Sequence, residues 1–64
     1  MSLIKYVGQT VTIIADNGEM YCGIVDDYFF PDNNDIAEES IILKITNSEF
    51  IEFTASEINE IKPM

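Results

Sequence analysis

The chain has 64 residues, 47% of them hydrophobic, with eleven isoleucines and seven aromatics. Twelve acidic residues face three lysines, with neither arginine nor histidine, for a net charge of −9. That balance argues against DNA, an RNA backbone or an anionic lipid surface as the main partner, because phosphate binding needs clustered cations. The length suits one small domain over residues 1–64, too small to hide so much apolar surface within itself.

Residues 2–7 predict a short helical turn or an irregular lead-in, with Leu3, Tyr6 and Val7 facing the core together at helical spacing, and Gly8 breaking it. Residues 10–15 predict the first strand, with Val11 and Ile13 on one face and Thr12 and Ile14 on the other. Asp16-Asn17-Gly18 follows, a tripeptide suited to a tight hairpin because it supplies positive φ at low cost. A long second strand is expected over residues 19–30, with Tyr21, Gly23 and Val25 sharing a face. Gly23 marks a sharp bend. Asp26-Asp27 breaks the apolar alternation, and Tyr28-Phe29-Phe30 resumes it after an expected bulge. Pro31, which has no amide hydrogen, ends pairing.

Residues 31–39 read as a polar loop and residues 40–46 as the third strand, with Ile41, Leu43 and Ile45 on its apolar face. Asn47-Ser48 signals a turn. Residues 49–54 form the fourth expected strand, with Phe50, Glu52 and Thr54 opposite Ile51 and Phe53. Ser56 opens a short turn with its hydroxyl as a cap, residues 58–61 make a fifth strand, and Pro63 ends order. Five short strands with closely spaced turn signals predict an all-β, strongly bent five-stranded barrel rather than a sandwich.

The order of these pieces resembles the Sm-like family of small bent barrels. Leu3-x-x-Tyr6-Val7-Gly8-x-x-Val11 is similar to the end of the family's first helix and its entry to strand one. Asn17-Gly18, then Gly23, Val25 and Tyr28, resemble its first signature, and Thr54-Ala-Ser-Glu-Ile58-Asn-Glu-Ile61 resembles the second in spacing. Other small barrels, including the Src-homology type, share this pattern. The resemblance implies a ring-forming homo-oligomer in which strand four of one subunit pairs with strand five of the next, so Phe50, Ile51, Phe53, Ile58 and Ile61 are expected at that interface. Pairing would also cover edges that an apolar sequence otherwise leaves open to aggregation. RNA-binding members carry an aspartate where this chain has Phe29, and an Arg-Gly pair where it has Thr54-Ala55, so the resemblance does not extend to RNA binding. Only Asn33 falls where the family has its asparagine.

The residues offer three further chemistries. Tyr28, Phe29 and Phe30 with Asn33 offer a ligand or RNA face, on which bases would stack, but without cations beside them core or interface packing is the simpler use. Asp26, Asp27, Asp32, Asn33, Asn34, Asp35, Glu38 and Glu39 concentrate oxygen ligands. Against the calcium-loop pattern, however, Ile36 and Ala37 stand where a ligand and the glycine belong, which favours a solvated loop with no metal or cofactor and leaves a cation-binding regulatory module at residues 26–39 as the third reading. Adjacent Asp26 and Asp27 point to opposite faces of a strand and do not converge without a bulge, and no nucleophile or oxyanion donor accompanies them, so no enzymatic activity is expected. Cys22, the only cysteine, is expected as a small buried or half-buried hydrophobe in a reducing compartment. No signal peptide or membrane-length apolar run is read in the sequence. The expectation is a cytoplasmic, non-catalytic interaction module, with a basic protein as a further partner for its acidic surface.

Overall fold

The computed structural model describes residues 2–31 and 38–64. A 3-10 turn at Ile4–Tyr6 leads into β1 (Thr10–Ala15), β2 (Met20–Phe29), β3 (Ser40–Thr46) and β4 (Glu49–Thr54). A second 3-10 turn at Ala55–Glu57 leads into β5 (Ile58–Pro63). All pairings are antiparallel, in the spatial order β4-β3-β2-β1-β5. β4 and β5 thus lie at opposite ends of one sheet, yet only Ala55–Glu57 separates them in the chain. So short a connection joins the two ends only if the sheet curls round on itself. The result is a small all-β fold, strongly bent, as expected.

Local chemistry sets the bends. In the first hairpin the Gly18 N–H donates to the Ala15 carbonyl (2.9 Å) and the Ala15 N–H to the Glu19 carbonyl (2.8 Å). Gly18 has φ +88°, and no described non-glycine residue has positive φ. The three-residue loop therefore concentrates its left-handed backbone at glycine alone, rather than spreading it over Asp16 and Asn17. Asn17 Oδ1 accepts the Glu19 N–H at 2.9 Å. At Gly23 a Cβ would run into the Lys44 carbonyl oxygen, so only glycine lets β2 approach β3 there. Pairing then shifts from Val25↔Leu43 to Asp27↔Ile42. Asp26 is the extra residue of a bulge that returns Tyr28 to the inner face, opposite Ile41.

Inward residues make one core: Val11, Ile13 and Ala15 of β1, Val25 of β2, Ile41 and Leu43 of β3, Phe53 of β4 and Ile58 of β5. Leu3 closes one end and is fully buried. Each large apolar side chain contributes about 1.5–3 kcal/mol on burial. Ser40 is the buried polar residue among those described, and its hydroxyl donates to Glu52 Oε2 at 3.0 Å.

Several expectations need correction. Val7 does not join Leu3 and Tyr6 in the core and is 44% exposed. A 3-10 turn repeats every three residues, which stacks Leu3 over Tyr6 and rotates Val7 away. Pro63 does not end order: it pairs with Val11, and the next N–H, from Met64, donates to the Thr10 carbonyl at 2.9 Å. The second 3-10 turn begins after Thr54, with no capping role for Ser56. Glu57 Oε1 accepts both the Thr54 N–H (2.9 Å) and the Thr54 hydroxyl (3.0 Å).

Candidate assembly edges

The backbone of each terminal strand shows which groups are unspent. The Met64 N–H bonds β1, and backbone direction alternates along a strand, so Lys62 also faces β1 while Ile61 and Pro63 face the open side. On β4 the Ala55 N–H reaches the Glu39 carbonyl (3.0 Å) just beyond the Ser40↔Thr54 pair, whereas the Thr54 N–H turns away to Glu57. By the same alternation Ile51 and Phe53 face β3, and Phe50 and Glu52 face the open side. Among the described residues, β4 is paired only by β3 and β5 only by β1. Pro63 is tolerated because its missing donor points off the sheet.

The five residues expected at a subunit interface divide between edge and core. Phe50 is 50% exposed on the outer face of β4, and Ile51 and Ile61 are half-buried at the two lips. Phe53 and Ile58 are only 5% and 6% exposed and belong to the core of the single chain. Tyr21 stacks on Phe53 with centroids 5.3 Å apart and a 60° interplanar angle. Beyond Phe50, the outer face carries the exposed Met20 and Ile24 and the half-buried Ile14.

The aromatic group of β2 is split. Tyr28 faces inward, and its hydroxyl donates to Glu39 Oε1 at 2.8 Å. This hydrogen bond, aided by burial and by the Glu39 charge, raises the phenol pKa above its ordinary 10.0. Phe30 packs edge-on to Tyr28, centroids 5.1 Å apart, and is itself 53% exposed. Phe29 is exposed on the opposite face, next to the exposed Asp26 and Asp27. Asn33, the fourth member of the expected ligand face, lies outside the described residues, as do Asp32, Asn34 and Asp35 of the acidic group. The two described glutamates of that group are engaged inside the chain. Glu39 also accepts the Leu3 N–H (2.9 Å), and Glu38 accepts the Ser56 N–H (2.7 Å) and hydroxyl (3.0 Å). They stitch the entry of β3 to the N-terminal turn and to the β4–β5 corner. Among the described residues no cluster of three metal-ligating side chains occurs.

An open cavity of about 200 Å³ lies where the β2–β3 ladder peels apart, lined by Gly23, Ile24, Lys44, Ile45, Thr46 and Asn47. Lys44 is the one ionisable side chain in that lining, with no carboxylate, thiol or imidazole to work with it. Cys22 is exposed rather than half-buried, because Tyr21 and Gly23 take the inward positions. Its Sγ sits 3.4 Å from Thr12 Oγ1 across the hairpin. No helix among the described residues is long and apolar enough to cross a membrane.

Sequence reading missed the roles of Glu39 and Glu57. A Thr54-x-x-Glu57 spacing is the signature of a reciprocal cap and was open to detection. The Tyr28–Glu39 and Leu3–Glu39 bonds join distant segments and left no local signal. Neither a family model, nor a curated protein, nor a solved structure matches the chain.

Proposed function

We propose that this chain is a non-catalytic, Sm-like interaction module that assembles with copies of itself, the β4 edge of one copy pairing with the β5 edge of the next. The observation that carries this reading is the sheet order, which leaves those two strands as its ends with backbone groups turned outward. Each added inter-strand hydrogen bond contributes about 0.5–1.5 kcal/mol net, and covering Phe50, Ile51 and Ile61 adds apolar burial. Repulsion between copies carrying −9 each opposes assembly, but the Debye length is about 8 Å at physiological salt, so most of it is screened. The lone exposed thiol of Cys22 suits a reducing compartment such as the cytoplasm.

Base stacking on Phe29 and Phe30 is the competing reading, favoured by their exposure and opposed by the neighbouring carboxylates. Sedimentation velocity over a wide concentration range tests the proposal. Species heavier than the 7.3 kDa chain, growing with concentration, are expected. A single 7.3 kDa species throughout would refute it, and an added RNA oligonucleotide that co-sediments at low salt would favour the competing reading.

A further inference from the structure

Resting on that reading, the geometry points to one particular register for the pairing between copies: antiparallel, with Phe50 opposite Ile61 and Glu49 opposite Lys62 of the second copy. The outward backbone groups belong to Phe50 and Glu52 on β4 and to Ile61 and Pro63 on β5. An antiparallel ladder forms only where outward-facing residues meet each other. Even-numbered positions on β4 must therefore oppose odd-numbered positions on β5, which leaves a few registers spaced two residues apart.

Chemistry selects among them. With Phe50 opposite Ile61, two under-covered apolar side chains meet. Glu49 then meets Lys62, whose charge is otherwise engaged, among the described residues, by an exposed contact of 3.9 Å with Glu60. Pro63 falls beyond the start of β4, so its missing N–H faces no acceptor. Sliding the strands two residues the other way places Pro63 opposite Phe50 and loses a hydrogen bond. It also sets Glu52 against Ile61 and Lys62 against Ile51, stranding two charges on apolar partners where the first register strands one, Glu60 against Ile51. The opposite slide sets Glu49 against Glu60 and Phe50 against Asn59. Opposite charges directly across an antiparallel pair stabilise it, and like charges destabilise it.

A charge-swap cycle tests the register. Glu49 and Lys62 are both exposed, and the side-chain bond Glu49 takes among the described residues, from the Thr46 hydroxyl, is long at 3.3 Å. Neither substitution should therefore prevent folding, which circular dichroism would verify. Glu49→Lys and Lys62→Glu are each expected to weaken self-association by roughly threefold to tenfold at low salt. The double variant Glu49→Lys/Lys62→Glu is expected to recover most of the loss. Assembly that persists with no recovery in the double variant would overturn the register while leaving edge pairing in place. A wild-type chain that stays monomeric would overturn both.

Discussion

Gly23 shows how one missing side chain shapes the molecule. A methyl group there would collide with backbone, the Lys44 carbonyl, and not with the yielding tip of a side chain. Gly23→Ala is expected to cost about 1–3 kcal/mol, read as a lower urea midpoint with little change in slope. Tyr28 carries a pH signature. Its neutral phenol donates to Glu39, so ionisation in the folded state is pushed above the ordinary 10.0. The proton is thus held more tightly folded than unfolded. The stability this bond supplies is complete below about pH 10 and is lost as pH climbs from there through the raised value. Melting temperature should fall more steeply above about pH 10 in the wild type than in Tyr28→Phe. Identical slopes would show that the bond does not form in solution.

At the scale of elements, the β4–β5 corner has the most to hold. It turns the chain from one end of the sheet to the other within three residues, and Glu57 and Glu38 secure it through Thr54 and Ser56. Glu57→Ala is expected to cost about 1 kcal/mol, on the scale of a lost helix cap, measured by thermal or chemical unfolding. The strands themselves were legible in the sequence. Residues 10–15, 40–46 and 49–54 were expected as strands and are β1, β3 and β4. Short runs rich in β-branched and aromatic residues between turn signals leave little freedom there, even though Ile14, Ile42 and Phe50 interrupt strict alternation. The bulge after Val25 was legible for the same reason, because Asp26-Asp27 breaks a pattern that Tyr28 resumes. What escaped depends on partners distant in sequence. Whether Pro63 ends a strand depends on which side of β5 its nitrogen faces. Whether Phe53 and Ile58 serve core or interface depends on how far the sheet curls. The roles of Glu38 and Glu39 required knowing that the entry of β3 lies against the corner, so they read only as part of an acidic loop.

For the whole molecule, charge and apolar surface pull in opposite directions. A chain of −9 that self-associates must bring like charges together, so salt should help it. The association constant is expected to rise from low to physiological ionic strength. Binding to a nucleic-acid backbone would fall over the same range as counterions compete. Opposite slopes thus separate assembly from base stacking in one titration series. A falling association constant would mean that contacts between unlike charges, such as Glu49 with Lys62, outweigh the net repulsion.

The central claim is that β4 and β5 complete their hydrogen bonding in a second copy, and amide hydrogen exchange reads those bonds directly as protein concentration varies. Protection of Phe50, Glu52 and Ile61 should increase with concentration, while that of Val25 and Leu43, inside the sheet, stays constant. Edge amides that exchange equally fast at every concentration would contradict the account.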